Sequence, residues 1–253
     1  MQFDGISALV TGAGSGIGRE IVCLLVAGGA RVSLADVDED GLAQTLELLP
    51  DGADNCHVRQ TDVSDDGECA ALVSETVSRF GRLDMAFNNA GIDGVIAPIH
   101  EQEMAMARKV LEVNVMGVLQ GMRHQIPAML RSGGGSIVNT ASIAGVRGHP
   151  GLGPYVASKH AVVGLGRTAA IEYGEKGIRV NTLCPGGVRT EMLEQYLAGA
   201  PELKASIIDA NPMRRMGEAV EMAEAAVWLA SDAASYVNGH ELVVDGGRIV
   251  GDV

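Results

Sequence analysis

The sequence predicts an α/β fold: one doubly wound parallel sheet of about seven strands with helices on both faces. Three observations predict it. Short β-branched runs alternate with longer stretches of helical period along the 253 residues. Strand cores such as SIVNT (136–140) and RVNTL (179–183) are apolar with few charges, as strands covered on both sides must be. No low-complexity tract, proline-rich linker or internal repeat breaks the alternation, so a single domain over 1–253 is expected.

In chain order, the first strand is Ser7–Val10, and a glycine-rich turn leads from it into a helix over 16–29. Arg31–Ala35 forms the second strand, and the acidic run DVDED (36–40) introduces a helix over 38–49 with carboxylates suited to its positive dipole end. Cys56–Gln60 is followed in the same way by DVSDDGE (62–68) and a helix over 65–80. After strand Asp84–Phe87 comes one long helix, 103–131, whose Met104, Met106, Met116, Met122 and Met129 suit a core or an interface. Strand Ser136–Thr140, helix 154–174 and strand Arg179–Leu183 complete the next unit. A helix over 218–231, with Trp228 expected to anchor it on the sheet, leads to the last strand, Glu241–Val244. The stretch 187–217 stands apart. It carries Pro201 and Pro212 and mixes Met192, Leu193, Tyr196 and Leu197 with charges, as a lid or substrate-binding loop does.

Composition excludes several classes. With 47% hydrophobic and 20% charged residues the chain is not disordered. A net charge of −13 opposes nucleic acid and anionic membrane surfaces as partners. The longest apolar stretch, Ile21 to Ala35, contains two glycines and Arg31, short of the roughly eighteen apolar residues a membrane span needs. The N-terminus, MQFDGISALVTG, lacks the basic region and cleavage site of a signal peptide. Cys23, Cys56, Cys69 and Cys184 form no CxxC pair, which points to free thiols in the cytoplasm, and the six histidines have no metal-ligand spacing, so no metal is expected.

TGAGSGIG (11–18) follows the first strand directly. Glycines at 12, 16 and 18 permit a tight turn and close approach to a pyrophosphate, with the helix N-terminus aimed at the phosphates. A Gly-Lys-Ser/Thr phosphate loop is absent from all four lysines. Asp36, at the end of the second strand, can accept both hydroxyls of an adenosine ribose and would repel a 2′-phosphate by roughly 1 to 4 kcal/mol, which favours NAD(H) over NADP(H). Its alternative role is to cap the next helix, and Arg19 and Arg31 are close enough in sequence to soften the preference. Asp62-Val63 and NNAG (88–91) also end strands, where open α/β sheets bind ligands; for Asp62 a plain turn or cap serves equally well.

Tyr155 and Lys159, four apart on a helix, project from one face. An ammonium at about 4 Å favours phenolate by roughly 4 kcal/mol before solvent discounts, enough to let a phenol of pKa about 10 exchange a proton near neutrality. Ser142 lies just past strand SIVNT, where its hydroxyl can hold a reacting oxygen. Asn114, in VLEVNVMGVLQ, is a polar residue on an apolar face, either satisfying a backbone kink or holding a water beside the lysine.

Together TGAGSGIG, Asp36, Asp62-Val63, NNAG, Asn114, Ser142, YVASK (155–159) and PGGVRT (185–190) resemble the short-chain dehydrogenase/reductase family, over nearly the whole chain and with no departure at a catalytic position. The resemblance implies a Rossmann-type fold and a catalytic set of Asn114, Ser142, Tyr155 and Lys159. In that set Tyr155 is the acid/base, Lys159 lowers its pKa, Ser142 positions substrate and Asn114 holds a relay water. It implies cofactor contacts from Gly12, Ser15, Gly16, Ile17, Gly18, Asp36, Asp62, Val63, Asn88, Ala90, Gly91, Tyr155, Lys159, Pro185, Gly186, Val188 and Thr190. The expected activity is hydride transfer between NAD(H) and a secondary alcohol or ketone. Leu152, Met192, Leu193 and Tyr196 suggest a moderately hydrophobic substrate such as a hydroxysteroid, aryl or cyclic alcohol. An NADPH-dependent 3-oxoacyl reductase and a non-catalytic NAD(H) sensor are the alternatives. Small residues on the helix over 154–174 (Ala161, Gly164, Gly166, Ala169, Ala170) and the family's habit of bundling such helices between subunits imply a homotetramer.

Overall fold

The computed structural model describes residues 1–49, 55–197 and 201–251, leaving outside the description the side chains of Met192, Gln195, Tyr196, Pro201 and Leu203. Seven strands form one parallel sheet: β1 (Ser7–Thr11), β2 (Arg31–Asp36), β3 (Cys56–Gln60), β4 (Met85–Asn88), β5 (Gly135–Thr140), β6 (Ile178–Pro185) and β9 (Glu241–Val244). Their order is β3-β2-β1-β4-β5-β6-β9. The order reverses between β1 and β4, which opens a crevice at the carboxyl ends of the strands.

Side chains alternate across the sheet. Ala8 and Val10 of β1 join the core formed with α1 (Gly16–Ala27), α2 (Glu39–Glu47) and α9 (Ala219–Ala230), whereas Leu9 joins the opposite core. That second core belongs to α3 (Asp66–Phe80), α5 (Gly117–Ser132) and α6 (Gly153–Tyr173). The acidic runs cap helices: the Asp38 side chain accepts from the Asp40 N–H at the start of α2, and Asp65 accepts from the Glu68 N–H at the start of α3. Trp228 does not anchor α9. It lies on the exposed side, and Met222, Ala226 and Val227 make the contact with the core instead.

The expected single helix over 103–131 is three pieces: α4 (Met104–Leu111), a π-helical turn Glu112–Met116, and α5. The extra residue in that turn carries Asn114 inward, so the interruption belongs to the site rather than to the packing. The excursion 187–217 is more ordered than a plain loop. β7 (Val188–Arg189) pairs with β8 (Gly217–Glu218) and ties its two ends together, and α7 (Glu191–Leu197) and α8 (Pro201–Asp209) lie between.

Candidate active site

The site is built at the carboxyl ends of the strands from β1 to β6. After β1, Gly12 has φ +66°, and a Cβ on it would lie 2.9 Å from Asn89 Nδ2. A Cβ on Gly18 would collide with the Gly12 carbonyl, so the start of α1 seats against the turn only with glycine there. Ser15 caps α1 without a side-chain hydrogen bond, and no acidic residue occupies the first turn, so the amide dipoles there are free to meet an anion. Ile17 packs against the core beneath, and the Thr190 methyl lies 3.1 Å from the Cβ position of Gly16. This cradle fits a pyrophosphate.

Asp36 ends β2 with its carboxylate held from two sides: Gly14 N–H donates to Oδ2 at 2.9 Å and Asp38 N–H to Oδ1 at 3.1 Å. The cap of α2 is Asp38, so the capping alternative for Asp36 falls away. Arg19 is committed to Glu191 (2.9 Å), to Thr45 Oγ1 (3.1 Å) and to the Gly14 carbonyl. Arg31 begins β2, at the end of the strand opposite Asp36, and lies over the Phe80 ring at 5.5 Å.

Asp62 is exposed and takes two hydrogen bonds at one oxygen, from Ser64 N–H at 2.9 Å and Ser64 Oγ at 2.7 Å, which hold its carboxyl below the usual range. That is the geometry of a turn. Val63 is buried and its side chain meets Gly117. The Asn88 side chain does not face the crevice. Its amide donates to Gln125 Oε1 (3.1 Å) and Asn139 Oδ1 (2.9 Å) inside the core, because a buried amide needs partners on both donors. Asn89 instead donates to the Thr11 and Gly12 carbonyls and ties the turn after β4 to the glycine turn, while the Ala90 N–H donates to Thr11 Oγ1.

Tyr155 and Lys159 lie one turn apart on α6, with Lys159 Nζ 5.5 Å from the centre of the Tyr155 ring. Lys159 is buried and donates to the Thr140 carbonyl at 3.0 Å. Ser142 follows β5, and its Oγ accepts from the Ala144 N–H at 3.1 Å. Asn114 is fully buried: Oδ1 accepts from the Ile92 N–H (2.8 Å), and Nδ2 donates to the Ile92 carbonyl (2.9 Å) and Ser158 Oγ (3.0 Å). The kink and the site therefore share one residue. Asn114 Oδ1 and Lys159 Nζ lie 3.1 and 3.3 Å from the Cβ position of Gly91, so a side chain at 91 would fill the space between them.

The electrostatics run opposite to the expectation from the ammonium alone. Burial pushes the Tyr155 phenol above its ordinary range, the Asp93 carboxylate adds to the rise, and a hydrogen bond with the Ser142 side chain opposes it. Burial also pushes Lys159 down to about 8, against the attraction of Asp93. For each group desolvation is the largest influence, and the lysine charge is already engaged by Thr140. Cys184 is no nucleophile: burial pushes its thiol up to about 12.

At the carboxyl end of β6, Pro185 ends the strand, the Gly186 N–H donates to the Val244 carbonyl at 3.0 Å, and Val188 is buried. Leu152 and Tyr155 line one small cleft, and Leu193 is half-buried on α7. The side chains of Met192 and Tyr196, also expected to touch substrate, lie outside the described residues. Asp93 lines that cleft and was missed by sequence reasoning. Its only signal is an acid standing alone between Gly91 and Ile99. Among the described residues no three His, Cys, Asp or Glu side chains cluster to hold a metal, and no helix is long and apolar enough to cross a membrane.

A family model described as "Enoyl-(Acyl carrier protein) reductase" matches residues 12–248. The chain is 46% identical over 247 residues to 2,5-dichloro-2,5-cyclohexadiene-1,4-diol dehydrogenase of Sphingobium indicum, covering 97% of this chain and 98% of that protein. It is 37% identical over 245 residues to cyclohexanol dehydrogenase of an Acinetobacter species, covering 97% and 95%. The crystal structure of levodione reductase superposes with a TM-score of 0.94 at 40% identity, covering 98% of both chains. The chain belongs to the short-chain dehydrogenase/reductase family. It is an oxidoreductase that interconverts secondary alcohols and ketones, and the family binds NAD or NADP.

Proposed function

We propose that this protein oxidises cyclic secondary alcohols with NAD⁺, with Tyr155 as the proton acceptor and Ser142 holding the reacting oxygen. The observation that carries the reading is the meeting of Tyr155, Lys159, Ser142 and Asn114 at the strand ends beside the glycine cradle. The amides from Gly12 to Gly18 and the Asp36 carboxylate would hold the dinucleotide, which would supply the hydride acceptor. Tyr155 takes the hydroxyl proton, and Lys159 passes it towards the gap over Gly91 that Asn114 Oδ1 borders. Small relatives acting on ring alcohols, together with Leu152 in the wall of the cleft, support a cyclic apolar substrate.

Asp36 supports NAD(H). Its carboxylate is fixed by two N–H groups, Arg19 is engaged elsewhere and Arg31 lies at the far end of β2, so no described cation is left to balance a 2′-phosphate against it. Wild-type enzyme should oxidise cyclohexanol with NAD⁺ far faster than with NADP⁺. Asp36→Ala should shift the ratio of the two kcat/KM values towards NADP⁺ by tenfold or more. Equal rates in the wild type, or no shift in the variant, would refute the assignment.

The four unpaired cysteines support a cytoplasmic setting. Met104 and Leu111 on α4, Met116 in the π-helical turn, Leu119 on α5 and Ile171 on α6 are exposed, apolar positions that support a homotetramer through these helices. Light scattering on a gel-filtration peak should give four times the 26.2 kDa chain mass; a monomer mass would overturn this assembly.

A further inference from the structure

The cleft beside Tyr155 holds a carboxyl group that the reaction itself does not need. Val95, Met106, Ala107, Val110, Leu152 and Pro154 make its apolar wall. Its polar lining, besides Tyr155, is Gln102 and Asp93. The Gln102 amide is spent on loop closure, donating to the Ala97 carbonyl at 2.5 Å and the Gly151 carbonyl at 3.0 Å. Asp93 is different. Among the described residues it forms no side-chain hydrogen bond and no ion pair, although it is half-buried. Burial raises its carboxyl, and the nearby Lys159 pulls it back down. Its oxygens are not sealed from solvent, so a hydroxyl arriving in the cleft can replace water as their donor.

We propose that Asp93 is a specificity-determining residue that accepts a hydrogen bond from a second hydroxyl on the substrate ring, so that the preferred substrates are cyclic diols or hydroxyketones. The inference rests on the reading of the site given above: with the reacting oxygen at Tyr155 and Ser142, the body of the ring lies against the apolar wall and its remaining polar group meets Asp93. A carboxylate at the same place on the ring would face a like charge and be rejected.

The test compares three substrates with NAD⁺: cyclohexanol, 1,4-cyclohexanediol and 4-hydroxycyclohexanecarboxylate. Each kcat/KM is expressed relative to cyclohexanol in the same variant, so that a general loss of activity cancels. In wild-type enzyme the diol should exceed cyclohexanol and the carboxylate should fall below it. Asp93→Ala should lower the diol ratio by about tenfold to a hundredfold, as loss of a hydrogen bond to a charged group does, and raise the carboxylate ratio. Asp93→Asn, which keeps an acceptor without the charge, should hold an intermediate diol ratio and also relieve the carboxylate. A diol ratio unchanged in Asp93→Ala, or parallel falls for diol and carboxylate, would overturn the role of Asp93 while leaving the alcohol dehydrogenase reading intact. Failure of the wild type to oxidise any of the three overturns that reading and this inference with it.

Discussion

Tyr155→Phe should lower kcat/KM for alcohol oxidation at least a thousandfold, about 4 kcal/mol of transition-state stabilisation, while NADH affinity stays within about threefold. The substitution removes one oxygen at the end of a ring whose packing on α6 is otherwise unchanged. Neither the neighbouring hydroxyl nor the thiol can replace it: Ser142 lacks a basic partner, and Cys184 keeps its proton far above neutrality. The pH dependence has a definite sign. Burial raises the phenol, so it holds its proton at neutral pH in the cofactor-free chain. Oxidation needs the deprotonated form and should accelerate as pH rises; reduction needs the proton and should slow over the same range. Stopped-flow and steady-state rates would check both. A variant that keeps a tenth of wild-type turnover would remove Tyr155 from the chemistry.

Lys159→Met should cost at least a hundredfold in turnover and yet stabilise the cofactor-free chain. In the folded protein the ammonium titrates near 8, against 10.5 for the unperturbed group. The unfolded chain therefore holds the proton more tightly, and below pH 8 the buried charge destabilises the fold by about 3 kcal/mol. Between pH 8 and pH 10.5 the folded lysine has lost its proton while the unfolded one keeps it, so that penalty fades as pH rises. Methionine fills a similar volume without charge, at the loss of the hydrogen bond to Thr140, which contributes about 1 kcal/mol. A net gain of about 2 kcal/mol at pH 7 raises Tm by several degrees in a chain of this size, and the gain should shrink towards pH 10.5. Thermal unfolding at the two pH values decides it. A variant that is less stable at pH 7 would show that the lysine charge is structurally favourable, and the desolvation argument would fail.

That trade explains why the pair was only half legible. The spacing of Tyr155 and Lys159 is a helical fact and was readable, as was the position of Ser142 at a strand end. The balance between attraction and desolvation was not, because it depends on what surrounds both groups in space. Asn88 shows the same limit at shorter range. NNAG marks a strand end, but which of its two asparagines turns towards Gln125 and which towards the glycine turn depends on the pleat of β4 and on what lies behind it. Asp93 was invisible for a related reason: a lone acid among glycines and apolar residues gains meaning only beside Leu152 and Tyr155, about sixty residues away.

Local patterning alone determined the α/β class, all seven strands of the main sheet, the glycine turn, the Asp36 position and the helical pairing of Tyr155 with Lys159, because periodicity, turn chemistry and one-turn spacing act between residues near in sequence. Tertiary structure decided the π-helical turn at Asn114, the outward face of Trp228, the order within 187–217, the inward turn of Asn88 and the direction in which Tyr155 and Lys159 titrate. Each of these is set by burial and by hydrogen-bond partners from distant strands, and the free energy of a buried polar group depends on those neighbours rather than on the order of the chain.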